Sequence, residues 1–374
     1  MNKRQLILGL VVLAALIGLF LWGRHKFHFD FQVFRDQIAQ AKWTYIAIGL
    51  LCIYCAFLFR AVRWALLLKH NKKVSPFSLL GTQVVGFTAI ALIGRVADPV
   101  RPYLVSKKTG LPLSSQFAVY IVERLFDAGS MALIFSVAML WIPETEIIRV
   151  TSHSKMVVAA SQHSPMLAAI LARFGGLFLT VAGALFLVAV RLWGAAVATF
   201  FERTFGLISK KLGTAIGEKI RTFHSGLDTM RTFSEFAATA SLSIGMWLLI
   251  AFAYFITMRA FSGSPPLATV TASKTVLMMI ASGGASIFQL PVLGWFTQIG
   301  IVAAVLTGAL GASPEAATAC AASLLLVTFL GVIPIGLIWA QFEHISLRKV
   351  AHESEEEAEH MPIEHPGGAN SESA

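Results

Sequence analysis

Long apolar blocks separated by short polar segments make up most of this chain. Six of the blocks are long enough for a helix to cross roughly 30 Å of hydrocarbon at about 1.5 Å per residue. The first block follows Asn2-Lys3-Arg4, as a signal peptide would, but it lacks a small-residue cleavage site and is predicted to be retained. The pattern predicts an all-α polytopic membrane protein. The six predicted full spans are residues 6–22, 44–59, 116–141, 167–190, 237–258 and 317–341.

Two further apolar stretches, 77–94 and 268–309, contain residues that interrupt helices. Broken backbone at membrane depth is tolerated where it is buried in protein or lines a water-filled cavity. We therefore expect two broken or re-entrant elements beside the full spans. The interrupting residues are Gly81, Gly86, Gly94 and Pro99 in or just after the first stretch, and Gly283, Gly284 and Pro291 in the second.

The distribution of basic residues predicts the orientation of the chain. Lys and Arg concentrate in the cytoplasmic loops of membrane proteins, and segments 60–76, 95–112 and 191–236 are all basic. We expect both termini on the cytoplasmic side of the cell (inner or plasma) membrane, with each interrupted stretch entering and leaving on one side. The halves, about 1–142 and 165–341, would then form an inverted repeat, whose paired breaks mark the binding site in many transporters.

Two regions are too polar to lie within the bilayer. Segment 191–236 contains two amphipathic helical patterns and is predicted to lie along the anionic inner leaflet, or else to be a solvated linker. The acidic tail, 346–374, has too little apolar surface to pack and is predicted to be disordered. The integral membrane domain is therefore predicted to cover residues 1–345.

The composition supports a membrane protein and indicates which partners it binds. Hydrophobic residues make up 56% of the chain and charged residues only 13%, against about 25% charged in soluble domains. The net charge of +10 indicates lipid head groups rather than nucleic acid, because the basic residues adjoin the spans. Cys52 and Cys55 lie in an apolar helix and are read as packing residues. The scattered histidines favour neither a metal site nor a cofactor.

Ionisable residues cluster around the first interrupted stretch. Each costs about 2.5–3.5 kcal/mol at the centre of a membrane helix, so such residues are rare and often functional. Arginine suits phosphate because its guanidinium binds two oxygens and stays charged. The predicted lipid phosphate-binding residues are Arg60, Arg63, Arg95, Arg101 and Arg124, and the predicted supporting or proton-coupling carboxylates are Asp98, Glu123 and Asp127.

The same residues also have a structural interpretation. Glu123 and Asp127 share one helix face at i, i+4 and could pair with arginines to fix helix packing. Arg60 and Arg63 could simply mark the cytoplasmic end of a span. The sequence leaves both interpretations open.

Three charged motifs resemble the membrane region of lysylphosphatidylglycerol synthases. The resemblance covers roughly residues 1–345 and implies a stand-alone, flippase-like domain that moves phospholipids or lipid-linked molecules between leaflets. The motifs are Arg60-Ala-Val-Arg63-Trp64, Gly94-Arg95-Val96-Ala97-Asp98-Pro99-Val100-Arg101 and Val122-Glu123-Arg124-Leu125-Phe126-Asp127. The polar core that the resemblance implies consists of Arg95, Asp98, Arg101, Glu123, Arg124 and Asp127.

The chain departs from the pattern of that family at two places. Ala97-Asp98 stands where the family usually has Gly-Glu, which keeps the acid but loses a glycine. In the second half the usual Pro-Gly-Gly-x-Gly run, which ends near a Glu, is replaced by a segment from Ser282 that ends in Gln289. Gln289 cannot titrate. The soluble aminoacyl-transfer domain is absent, so the chain is not expected to be a complete lysyl transferase.

The leading functional hypothesis is a lipid transporter or flippase for an anionic phospholipid or lipid-linked molecule, and not an enzyme. Two alternatives stay open. One is an intramembrane lipid-modifying enzyme, and the other is an accessory membrane subunit recruited by a separate lipid-synthesis enzyme. The residues select phosphate and carry little information about the lipid tail.

Truncation after Lys349 is expected to leave folding and lipid transport intact, because the acidic tail has too little apolar surface to pack on the membrane domain. The yield of monodisperse detergent-extracted protein and the transport rate test this expectation. A truncated protein that fails to accumulate would show that the tail is docked.

Overall fold

The computed structural model describes residues 29–94, 97–141, 165–207, 209–227, 232–285 and 293–343. Within these ranges the chain forms α-helices and one short 3₁₀ segment, Leu330–Val332, without a strand, which confirms the all-α prediction. The helices are α1 (Phe31–Gln40), α2 (Trp43–Leu68), α3 (Pro76–Ile93), α4 (Val100–Thr109), α5 (Leu113–Leu140), α6 (Pro165–Gly206), α7 (Lys210–Leu227), α8 (Phe233–Arg259), α9 (Pro265–Ala268), α10 (Ala272–Ala285), α11 (Leu293–Leu310), α12 (Pro314–Thr328) and α13 (Ile333–Phe342).

Four spans in the described part of the chain are long and apolar enough to cross a membrane, or five if one bent pair counts as a span. The prediction of six full spans is therefore wrong for the described residues. Predicted span 6–22 lies outside them, α5 carries three ionisable residues along its length, and α6 is bent by 64° between Phe174–Gly183 and Val188–Gly206. The four spans are α2, α3, α8 and the segment Pro314–Phe342.

The first interrupted stretch is a continuous helix, α3, and this corrects the prediction that glycines break it. The glycines provide close approach instead. A Cβ on Gly81 would overlap the indole of Trp339, and a Cβ on Gly86 would overlap the Arg101 side chain. The chain leaves the helix only at Gly94, whose φ of 93° favours glycine, and re-enters a helix after Pro99.

The second interrupted stretch contains three helices, α9, α10 and α11. Gly283 and Gly284 belong to the last turn of α10 rather than to a break. Pro291 and Gln289 lie outside the described residues. The paired breaks of an inverted repeat, and the side on which each stretch enters the membrane, stay predictions.

The first predicted helix of segment 191–236 is the final part of α6, while the second is α7. The two pack against each other as a hairpin. Glycines permit the contact, because a Cβ on Gly213 would overlap the backbone at Glu202 and Gly206. The position of this hairpin relative to the inner leaflet stays a prediction.

Local capping fixes the ends of the helices that flank the charged residues. Gly110, with φ 68°, ends α4, and Lys72 Nζ donates to the carbonyl of Thr109 at 2.6 Å. At the start of α8, Thr232 Oγ1 accepts from the Glu235 amide at 3.2 Å, and the Glu235 carboxylate accepts from the Thr232 amide at 3.4 Å. This is a capping box. The same carboxylate contacts His70 Nε2 at 2.9 Å.

The described residues fall into two compact units. The second unit comprises those of Ile53–Ile250 and those from Phe329 onward. Its core forms around Trp64, which is 1% exposed, with side chains of α2, α3, α4 and α5 packed on it. Helix α13 joins this core through α3, where a Cβ on Gly336 would overlap Thr88. Tyr54 Oη donates to the carbonyl of Gly331 at 2.6 Å.

The first unit comprises the described residues of Met1–Cys52, Ala251–Gln289 and Leu293–Thr328. Helix α1 packs on α12, and α11 packs on α10 and α12. A polar network lies in this unit. Tyr254 Oη donates to Ser282 Oγ at 2.8 Å, and Gln298 Nε2 donates to the same oxygen at 3.1 Å.

Replacing Gly86 with alanine is expected to destabilise the protein by about 1–3 kcal/mol, because the added methyl group overlaps the root of the buried Arg101 side chain. Gly129→Ala is the matched control. It lies within α5 with nothing within 4 Å of the added Cβ, so alanine should stabilise the helix by about 0.5–1 kcal/mol. Thermal unfolding of the detergent-purified variants measures both effects, and a Gly86→Ala protein as stable as the parent would contradict the close approach.

Candidate functional site

Three helices of the second unit bring their ionisable residues to one place. Arg60 and Arg63 lie one turn apart on α2, and Arg101 lies in the first turn of α4. Glu123 and Asp127 lie one turn apart on α5 and so point in one direction. The pattern of charged residues at i, i+3 and i, i+4 thus places two basic and two acidic side chains face to face.

The carboxylate of Glu123 is the centre of this arginine cluster, which consists of Arg60, Arg63, Arg101 and Arg124. Its Oε1 accepts from Arg63 Nη2 at 2.6 Å and from Arg101 Nη2 at 2.9 Å. The same oxygen accepts from Arg60 Nη1 at 3.2 Å and from Arg124 Nη2 at 3.3 Å. Four guanidinium groups therefore converge on one carboxylate oxygen.

Asp127 ties the same arginines together one helical turn further on. Its Oδ1 accepts from Arg63 Nη1 at 2.6 Å and from the indole Nε1 of Trp247 at 3.3 Å. Its Oδ2 accepts from Arg124 Nη2 at 3.1 Å and from Arg60 Nη1 at 3.4 Å. Arg63 therefore bridges both carboxylates, and its Nη1 also donates to Ser243 Oγ at 2.6 Å.

The cluster is buried but for one member. The side chains of Arg63, Arg101 and Glu123 are each 1% exposed, while that of Arg124 is 37% exposed. Buried ion pairs hold together because breaking one leaves an uncompensated charge, which costs about 3–5 kcal/mol. The structure therefore uses these residues as a scaffold, and Arg124 is the member that the surroundings can reach.

Aromatic rings surround the Arg101 guanidinium. Its Cζ lies 4.7 Å from the ring centroid of Phe87, 5.2 Å from that of Trp64 and 5.7 Å from that of Tyr120. Tyr120 also lies under Arg124, at 5.2 Å from the Arg124 Cζ. Such contacts are electrostatically favourable and help to hold a desolvated cation in place.

Positive charge exceeds negative charge in the cluster. Four arginines face two carboxylates, which leaves a surplus of two positive charges among these six side chains. Asp98, half-buried in the turn before α4, acts electrostatically on Arg124 and reduces the local surplus to one. A site with this balance favours a ligand that carries net negative charge.

The predicted site residues are brought together only in part. Arg95 and Pro291 lie outside the described residues, and Gly94 and Pro99 flank the turn that precedes α4. Gly284, in α10, has no atom near an added Cβ among the described residues. The residues that meet in the cluster are Arg60, Arg63, Arg101, Glu123, Arg124 and Asp127.

Two buried glutamines, Gln83 on α3 and Gln116 on α5, belong to the site and were missed by the sequence analysis. Gln83 Oε1 accepts from Arg101 Nη2 at 2.5 Å, and Gln116 Oε1 accepts from Trp64 Nε1 at 3.2 Å. A signal was available, because an amide within an apolar helix needs a polar partner. Glutamine carries no formal charge, so the rule that ionisable residues are rare within apolar helices does not identify it.

One comparison with known proteins gives a match. The family described as the lysylphosphatidylglycerol synthase TM region matches residues 6–336, which include every residue of the cluster. No curated protein and no solved structure gives a significant match.

Glu123→Gln is expected to destabilise the protein more than Arg60→Gln does. Glu123→Gln leaves four guanidinium groups against one carboxylate and is expected to cost about 3–5 kcal/mol of unfolding free energy. Arg60→Gln leaves three guanidinium groups against two carboxylates, so the numbers of positive and negative charges become more nearly equal. The yield of monodisperse protein in mild detergent and its unfolding temperature measure the difference. The reverse order of stability would show that Glu123 is not the centre of the cluster.

Proposed function

We propose that this chain, which belongs to the family of the lysylphosphatidylglycerol synthase TM region, is a flippase-type transporter of anionic lipids. The observation that carries the proposal is the convergence of four guanidinium groups, with a surplus of positive charge, within apolar helices. We place the protein in the cell membrane with both termini in the cytoplasm.

Phosphate can take over the hydrogen bonds that the carboxylates now accept. Carboxylate and phosphate oxygens both suit the guanidinium fork, so a lipid phosphate can take over the Arg124 donors while Glu123 keeps Arg60, Arg63 and Arg101 as partners. Glu123 Oε1 holds one contact from each of the four arginines, and a phosphate group offers more oxygens for the same donors. Such an exchange lets a buried anion site load and unload.

Arg124 is the entry point in this proposal. Its side chain is the partly exposed member of the cluster. Its neighbours one turn away on α5 are apolar and exposed, with Ile121 54% exposed and Ala128 also exposed. A lipid can therefore present its phosphate to Arg124 while its acyl chains lie along this face in the bilayer. A soluble anion would gain nothing from the apolar face.

The ion pairing of Glu123 and Asp127 favours a transporter over a lipid-modifying enzyme. Both carboxylates are bound by several arginine donors, so neither is free to act as a nucleophile or as a general base. A reaction on the head group would need such a group within reach. Binding and release of a phosphate need only the exchange described above.

Arg124→Ala is expected to abolish transport of phosphatidylglycerol in proteoliposomes while leaving the protein folded. The change removes one guanidinium of the charge surplus. Folding is expected to survive because Glu123 and Asp127 keep Arg60 and Arg63 as partners. Arg124→Lys should keep only part of the rate, because lysine keeps the charge but loses the two-pronged geometry.

The matched control is Arg259→Ala, which removes the same charge from an exposed residue at the end of α8. It should transport lipid at the parental rate. Dithionite quenching of a fluorescent phosphatidylglycerol follows the movement between leaflets. Parental transport by a well-folded Arg124→Ala protein would refute the proposed phosphate site.

A further inference from the structure

Gln83 and Gln116 are fully buried beside the arginine cluster, each 0% exposed. Each amide oxygen is in use, but neither amide nitrogen has a hydrogen-bond partner among the described residues. A buried donor without an acceptor costs about 1–3 kcal/mol, and native structures contain few of them. Two unpartnered donors beside one cluster therefore call for a functional explanation.

The orientation of each amide follows from its neighbour. Gln83 Oε1 accepts from Arg101 Nε at 3.1 Å and from its Nη2 at 2.5 Å, and arginine can only donate. Gln116 Oε1 accepts from Trp64 Nε1, which is also a donor only. Flipping either amide would place donor against donor. The amide N–H groups are therefore the ones left without a partner.

The unpartnered atoms of this cluster are all donors. Besides the two amide nitrogens, Nε of Arg63 and Nε of Arg124 are buried without an acceptor among the described residues. The partner of Gln83 lies against the partner of Gln116, since the Arg101 Cζ is 5.2 Å from the centroid of the Trp64 ring. The complement of these four buried donors is a group that only accepts, and among lipid head groups that group is phosphate.

We propose that Gln83 and Gln116 bind the phosphate oxygens of the transported lipid and, with the arginines, select a head group with net negative charge. The inference rests on the proposed transport function and adds two neutral donors to the site. The arginines set the charge of the ligand, and the amides require acceptor oxygens. A zwitterionic head group brings an ammonium group as well, which the positive surplus disfavours.

Gln→Glu substitutions separate this role from a structural one. Glu at position 83 or 116 keeps the oxygen that accepts from Arg101 or Trp64, so the contacts seen in the structure survive. It replaces the amide donor by a second acceptor that repels phosphate. Gln83→Glu and Gln116→Glu are each expected to weaken phosphatidylglycerol binding by about tenfold or more. The unfolding temperature of Gln83→Glu should stay close to that of the parent, because the new carboxylate pairs with Arg101. That of Gln116→Glu should fall, because the new buried carboxylate contacts the neutral N–H of Trp64.

A neutral variant removes the effect of the added charge. Gln116→Met has a similar shape and adds no charge. It removes the amide donor, together with the oxygen that accepts from Trp64, and it is expected to weaken binding several-fold. Gln32→Glu, an exposed change on α1, adds the same negative charge elsewhere and should bind as the parent does. Binding is measured on detergent-purified protein with mixed micelles of phosphatidylglycerol or phosphatidylcholine, by native mass spectrometry.

Preference for phosphatidylglycerol over phosphatidylcholine in the parent, lost in the glutamate variants, supports the inference. Binding within twofold of the parent by folded Gln83→Glu and Gln116→Glu proteins would overturn it, as would equal binding of the two lipids by the parent. If the glutamate variants do not fold, parental binding by Gln116→Met overturns it. Arg124→Ala distinguishes a failure of the proposed transport function from a failure of the proposed role of the amides. If it loses binding while the glutamine variants keep it, only the role of the amides fails.

Discussion

The second unit depends on one interaction, the contact of a single carboxylate with four guanidinium groups in an apolar core. Glu123 Oε1 receives a hydrogen bond from each arginine of the cluster, and those arginines come from α2, α4 and α5. In low dielectric such contacts are strong, and so is the penalty for losing one. The packing of these helices and the electrostatics of the site therefore share one cause.

That shared cause reconciles the two interpretations that the sequence left open. Arg63 and Arg101 are almost fully buried and paired, as a scaffold requires. The cluster nevertheless keeps more donors than acceptors, and the Arg124 side chain is partly exposed. A purely structural ion cluster would gain stability from balance, because each unmatched buried group is costly. In the proposed function, an anionic ligand balances this surplus.

Much of this could be predicted from the sequence, because charges inside apolar helices must find partners. That rule grouped the arginines with Asp98, Glu123 and Asp127 but left open which pairs form. Other features depend on tertiary neighbours. A glycine in an apolar stretch can mark a break or a close approach, and only the position of Trp339 or Arg101 decides between them at Gly81 and Gly86. The polar glutamines carry no formal charge, and their unpartnered amide nitrogens are identified only by the position of Arg101 and Trp64 beside them.

The contact between Gly86 and Arg101 also has an evolutionary consequence. The backbone of α3 reaches the root of the arginine side chain so closely that no Cβ fits between them. A lineage that replaced Arg101 with a smaller residue would free position 86 to acquire a side chain, whereas a lineage that keeps Arg101 holds glycine there. The two positions are therefore expected to covary among homologous sequences, even though residue 86 contributes no chemical group to the site.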